Sequence, residues 1–279
     1  MKKIVVTGGS GKAGRATVRE LLEHGYEVLN IDIAPPREPI SPYLAVDLMQ
    51  LGETIEALHD ADAVVHLAAN PNPRGWTEER MFRHNTTTTY NIFRAATLLK
   101  LKRVVWASSE TTLGLPFERE QPRYAPIDEQ HPLFPESSYA LSKMISEEMA
   151  RQFSRWSDIP FVGLRFSNIM EPGDYQRFPG FWDDPRKRKG NLWGYIDARD
   201  AAQSCRRGIE ADTRGAEAFI IAAADTVMNR PSRDLLAAIY PGVALRDGVG
   251  EFDSLLDTDK ARRLLGYMPA HSWRDHVGT

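Results

Sequence analysis

The sequence predicts an α/β protein built on a doubly wound parallel sheet, followed by a small loop-rich C-terminal portion. Three observations predict it. Short β-rich runs alternate with helical patterns through the first 165 residues, which calls for parallel pairing with helices on both faces. The run Ala63 to Leu67 is dominated by apolar residues, as a strand buried on both faces requires. A glycine-rich turn, Gly8 to Gly14, joins the first strand pattern to the first helical one.

The elements follow in order. Lys3 to Thr7 reads as the first strand. Lys12 to His24 carries Val18, Leu21 and Leu22 at helical spacing, with Gly25 as the C-terminal cap. Tyr26 to Ile31 is a second strand, Tyr43 to Val46 a third, and Leu51 to Leu58 a second helix. After the buried run come a long helix over Thr77 to Lys100 and a strand over Arg103 to Ala107. Ser138 to Phe153 is helical, and Pro160 to Arg165 is the next strand. Pro172 to Gly194 sets Tyr175, Phe178, Phe181, Trp182 and Trp193 among prolines and glycines, which suggests a loop-rich cap and not a second core. The basic run Arg186 to Lys189 inside it reads either as a solvated loop or as a seat for an anionic group.

Composition narrows the class. A chain of 279 residues and 31.4 kDa can bury about 73% of its unfolded surface, enough for one large domain. No run reaches the ~18 apolar residues of a membrane span, and the two lysines after Met1 precede too short an apolar stretch for a signal peptide. Cys205, the single cysteine, has no internal disulfide partner, which fits a reducing cytoplasm. A net charge of −3 and a pI near 6.2 argue against nucleic acid as a partner. The histidines and carboxylates show no metal-ligand spacing.

The turn after the first strand points to a dinucleotide. Gly8, Gly11 and Gly14 are spaced three apart, so backbone N–H groups and a helix N-terminus can approach a pyrophosphate. Asp32 closes the second strand, where a carboxylate accepts hydrogen bonds from an adenosine ribose and repels a 2′-phosphate. NAD is therefore expected over NADP, with Arg37 available to soften that preference.

Tyr139 and Lys143 stand four apart on one predicted helix face. A free tyrosine has a pKa near 10, and bringing it to neutrality costs roughly 4 kcal/mol. A lysine ammonium, an oxidised nicotinamide and a helix N-terminus each favour the phenolate.

Together with the turn, Asp32 and Ser108-Ser109, this pair resembles the short-chain dehydrogenase/reductase superfamily, in its extended, epimerase/dehydratase-like branch. The motifs run in order through nearly the whole chain: His66-Leu67-Ala68-Ala69; Asn85, Thr89 and Asn91; Ala107-Ser108-Ser109 through Gly114; Pro135 to Tyr139 with Lys143; Leu164 to Asn168; Tyr195 to Asp200; and Lys260 through Pro269.

The resemblance implies a Rossmann-type NAD-binding domain over residues 1–165 that carries the catalytic residues. Residues 166–279 would form a mixed substrate-binding portion with segments returning to the main sheet. Tyr139 would be the general base, Lys143 would hold the nicotinamide ribose, and Ser109 would bond the substrate oxygen. Gly8, Ser10, Gly11, Lys12, Ala13 and Gly14 would surround the pyrophosphate and Asp32 the ribose. Asp47 and Leu48 would lie near adenine, and Leu67, Ala68, Ala69 and Asn85 would complete the cofactor site. Asn70, Glu110 and Asn168 would contact substrate, or else be a loop cap, a solvated carboxylate and a turn residue. Ser108 reads as structural, and His66 as a strand-end histidine satisfied by backbone.

Departures from the pattern shape the function. Glu110-Thr111 follows Ser109 where dehydratases carry an Asp-Glu pair, and the chain is shorter than many nucleotide-sugar epimerases. The layout is similar to uronate and aldose dehydrogenases. The expected function is NAD-dependent oxidation of a carbinol in a sugar or sugar acid: Tyr139 takes the hydroxyl proton while hydride passes to the nicotinamide. An NAD-dependent epimerase is the enzymatic alternative, and a dinucleotide-sensing protein the non-catalytic one. The resemblance also implies a homodimer paired through the helices at 77–100 and 138–153, the alternative being a monomer whose helices face only their own sheet.

Overall fold

The computed structural model describes residues 1–71 and 75–277; the last two residues of the 166–279 portion fall outside it. Seven strands, β1 (Lys3–Thr7), β2 (Glu27–Asp32), β3 (Tyr43–Ala45), β4 (Ala63–His66), β5 (Arg103–Ser109), β6 (Phe161–Phe166) and β7 (Ala216–Ile221), form one sheet. Every pairing in it is parallel, and the spatial order is β7-β6-β5-β4-β1-β2-β3. The chain winds outward from β1 to β3, then returns to place β4 on the other side of β1. That reversal opens a crevice at the carboxyl ends of β1 and β4.

Each strand feeds both faces because successive side chains alternate. Ile4 and Val6 point to the face covered by α1 (Lys12–Glu23) and α5 (Ala198–Glu210), with Val18, Leu21, Cys205 and Ile209. Val5 points to the face covered by α2 (Leu51–Leu58), α3 (Glu78–Leu98) and α4 (Ser138–Ser157), with Leu58, Phe93, Trp106, Phe153 and Phe161. The helix starts have local causes. Thr77 Oγ1 accepts from the Arg80 N–H at 3.2 Å ahead of Glu78 and Glu79, and Ser137 Oγ accepts from the Ala140 N–H at 3.1 Å. The second cap matters most, because it sets Tyr139 in the first turn of α4.

The aromatic segment behaves differently from the sequence reading. Residues 172–194 hold 3₁₀ turns, Pro172–Phe181 and Lys189–Asn191, joined by loops, yet Tyr175, Phe178 and Trp193, with Tyr195 just beyond, are fully buried in a core shared with Leu235, Leu236 and Trp273. It is a second core and not a cap. The reason is that aromatic rings each bury a large apolar area, and the polar ends here find partners. Trp193 Nε1 donates to the Pro185 carbonyl at 2.8 Å and Trp273 Nε1 to that of Thr226 at 2.7 Å. The strand β7 and the helices α6 (Ser232–Ile239) and α7 (Asp259–Leu265) come from the same C-terminal stretch.

The basic run divides: Arg188 turns inward, its Nε and Nη2 buried without hydrogen-bond partners, while the first two members of the run face solvent. Arg186 pairs with Asp184 at 2.9 Å and Lys187 donates to the Gly180 carbonyl at 2.7 Å, both exposed.

Candidate active site

Two clefts meet at the carboxyl edge of the sheet. The first, about 570 Å³, is walled by Gly11 to Gly14, Leu67, Ala69, Ser109, Glu110, Tyr139, Lys143, Ser167, Asn168 and Asn191, among others. The second, about 540 Å³, is walled by Asp32, Asp47, Leu48, Ala68, Ala69, Asn70, Trp76 and Arg80, among others. Ala69 belongs to both. The pair thus makes a continuous, elongated site across the switch point.

The glycine turn is built by close approach. Gly8 has φ +66°, and a Cβ on it would stand 2.7 Å from the Ala68 nitrogen; one on Gly14 would stand 2.1 Å from the Gly8 carbonyl oxygen. Any larger residue would push the turn off β4. Helix α1 starts after Gly11 with no side-chain cap, so its first N–H groups face the cleft without an internal acceptor. These features fit the pyrophosphate of a dinucleotide. Ser10 is turned the other way: its N–H donates to Asp32 Oδ2 at 3.1 Å and its hydroxyl to the Ala34 carbonyl at 2.7 Å. Lys12 Nζ pairs with Asp174, which ties the phosphate turn to the C-terminal portion.

Behind the cleft, side-chain bonds fix the loop after β4. Asn85 Oδ1 accepts from the Asn70 N–H at 2.9 Å and Asn85 Nδ2 donates to the Asn70 carbonyl at 3.1 Å. Asn85 therefore positions Asn70 from behind, while Asn70 itself reaches the second cleft. His66 is held by hydroxyls and not by backbone: Nδ1 is 2.7 Å from Thr7 Oγ1 and Nε2 is 3.2 Å from Thr89 Oγ1. Burial, reinforced by the Lys143 charge, pushes its pKa down to about 3, so it stays neutral.

Tyr139, Lys143 and Ser109 share one wall of the first cleft. Lys143 Nζ donates to the Ala107 carbonyl at 2.8 Å and lies 5.7 Å from the Tyr139 ring centroid. Burial pushes the Tyr139 phenol up to about 12, opposed by the Ser109 hydroxyl. Burial also lowers Lys143 to about 8. Each group resists its charged form, so either one's charge strongly favours the other's. One helical turn beyond Lys143, Glu147 forms a buried double contact with Arg165 at 2.9 and 2.8 Å, and Ser108 Oγ donates to Glu147 at 2.6 Å. Ser108 thus ties β5 to α4 next to Lys143.

A family profile described as "NAD dependent epimerase/dehydratase family" matches residues 4–184. The chain belongs to that family. A putative UDP-glucose 4-epimerase of Methanocaldococcus jannaschii is 31% identical over 203 residues, covering 70% of this chain and 62% of that protein. An L-arabinose 1-dehydrogenase (NAD(P)(+)) of Haloferax volcanii is 27% identical over 219 residues, covering 76% of this chain and 84% of that one. A crystal structure of a short-chain dehydrogenase/reductase superfamily protein from Agrobacterium tumefaciens with bound NAD superposes with a TM-score of 0.73 at 23% identity, covering 97% of this chain and 93% of that one. The family description makes NAD the cofactor.

Some of the wall had no sequence signal. Asn191 comes from the aromatic segment, and Ile169 follows the expected Asn168. Trp76 and Arg80, with the guanidinium 4.3 Å from the indole centroid, close the Asp32 cleft. Among the described residues no three His, Cys, Asp or Glu side chains are grouped to hold a metal ion.

Proposed function

We propose that the protein is an NAD-dependent dehydrogenase that oxidises a carbinol of a free sugar. The observation that carries this reading is the convergence of Ser109, Tyr139 and Lys143 on one cleft that also holds the α1 N-terminus. In this reading residues 1–165 hold NAD and the reacting groups, while 166–279 shape the sugar end through Asn168 and Asn191. Ser109 and Tyr139 bond the carbinol oxygen. The Tyr139 phenolate takes its proton, stabilised by Lys143⁺. Bound NAD supplies the acceptor for the two electrons.

Free sugars are favoured over nucleotide sugars by the charges in the wall. The α1 N-terminus is taken by the cofactor pyrophosphate in this reading, so a second diphosphate would need cationic partners of its own when drawn out of water. The lysines that line the first cleft are Lys12, paired with Asp174, and Lys143, committed beside Tyr139. The epimerase alternative has its support in the Methanocaldococcus relative.

The Asp32 cleft sets the cofactor. With Asp32 on its wall, NAD is expected to bind at least about tenfold more tightly than NADP, because a buried 2′-phosphate would face a carboxylate. Titration of both cofactors checks this. Equal or reversed affinities would mean that Arg80, on the same wall, outweighs Asp32.

We also propose a cytoplasmic homodimer. Tyr90 and Leu98 on α3 and Leu141 and Trp156 on α4 are exposed, Trp156 at 60%, and such apolar groups on adjacent helices fit an interface. Among the described residues no helix is long and apolar enough to cross a membrane. Light scattering at micromolar concentration is expected to return twice the chain mass, and a monomer would reject the pairing.

A further inference from the structure

The far end of the first cleft holds a buried carboxylate whose bonding is incomplete. Glu110 follows Ser109 directly, lines the cleft and is only 2% exposed. Its Oε1 accepts from Asn191 Nδ2. Its Oε2 and the hydroxyl of neighbouring Ser167 on the same wall are both buried without a well-formed hydrogen bond, although Ser167 stands close enough to favour the ionised carboxylate. A buried acceptor left open in this way costs stability unless a ligand completes it. Arg188, the inward member of the basic run, sits close enough for its charge to act on Glu110, yet it does not reach the cleft wall. The charge that a ligand meets at this end is therefore the carboxylate and not the guanidinium.

We propose that Glu110, held by Asn191 and backed by Arg188, accepts a hydrogen bond from a second hydroxyl of the sugar and so selects neutral sugars over sugar acids. The inference rests on the reading that this cleft oxidises a sugar. A neutral polyol offers a hydroxyl donor to complete the bonding of this carboxylate. A carboxylated sugar brings a like charge to a wall whose lining cations, Lys12 and Lys143, are already engaged by Asp174 and the Ala107 carbonyl, while the open nitrogens of Arg188 lie behind Glu110 and not on the wall. Burial raises the Glu110 carboxyl to about 7, against the opposing effects of Ser167, Asn191 and Arg188, so the ionised form prevails at about pH 8.

The test compares matched pairs, such as galactose with galacturonate and glucose with glucuronate, at about pH 8 with NAD. For the wild type, kcat/KM is expected to favour the neutral member by about 100-fold or more, and the acid is expected to inhibit only weakly. In Glu110→Gln, which keeps the shape, the preference is expected to shrink to within about tenfold, chiefly through KM. NADH fluorescence titration of the variant reports whether the cofactor site is intact. A wild type that uses the acid as well as the neutral sugar overturns the inference, and so does a Gln variant that keeps the full preference. If UDP-sugars are interconverted without net NADH, the dehydrogenase reading fails by itself. The role of Glu110 is then decided by the same comparison between UDP-glucose and UDP-glucuronate.

Discussion

Tyr139→Phe is expected to lower kcat/KM for sugar oxidation by about 1,000-fold or more, while NAD affinity stays within about twofold. The substitution removes one oxygen and keeps the ring, so the first turn of α4 and its Ser137 cap stay in place. The pyrophosphate turn, Gly11 to Gly14, lies on another element and loses no contact. The charge environment explains the size of the effect. Burial holds the phenol near 12, and the carboxylate on the wall, Glu110, bonds a second hydroxyl of the sugar in this reading and not the reacting one. Lys143→Met is expected to lose turnover as well, together with some cofactor affinity. With Tyr139 as the base, the rate is expected to rise with pH through neutrality, since the deprotonated form is gained as pH increases. Substantial activity in the Phe variant would place the base elsewhere.

Arg165→Met or Glu147→Ala is expected to destabilise the fold by about 3–5 kcal/mol, because either change leaves an uncompensated buried charge. Both side chains are at most 6% exposed. Glu147 also holds Ser108, so α4, β5 and β6 are tied at one point directly beside Lys143. At this chain length the loss corresponds to a fall in Tm of about 10 °C. Replacing both residues with apolar ones of similar size is expected to recover much of it, as the pair's own net contribution is small. Thermal or urea denaturation of the two single variants and the double variant checks both expectations. A single variant as stable as the wild type would mean that water reaches the pair.

Local spacing made the nucleotide side of the molecule readable. The strand–glycine turn–helix unit and the Tyr139–Lys143 pair depend on residues within a few positions of one another, so periodicity places them well. The long helices follow from caps such as Thr77 and Ser137. The C-terminal portion was harder because its contacts are distant in sequence. Tyr175 and Phe178 look like exposed loop aromatics until Trp273 and Leu235 are brought against them. The bond from Asn191 to Glu110 spans 81 positions, and no local pattern signals it. Side-chain direction was a further limit. Ser10 and Asn85 lie in the expected segments, but the hydroxyl of one turns to the Ala34 carbonyl and the amide of the other to the Asn70 backbone. The His66 ring, expected to bond backbone, instead meets two threonines contributed by β1 and α3.

The measurement that bears most directly on the dehydrogenase reading is net NADH formation with a panel of aldoses, sugar acids and UDP-sugars in the presence of NAD. A dehydrogenase releases reduced cofactor at every turnover. NADH is therefore expected to accumulate to many equivalents of protein with a free sugar, and Tyr139→Phe is expected to abolish that accumulation. Interconversion of UDP-sugar epimers with no net NADH, and no oxidation of any free sugar, would contradict the reading and establish the epimerase in its place.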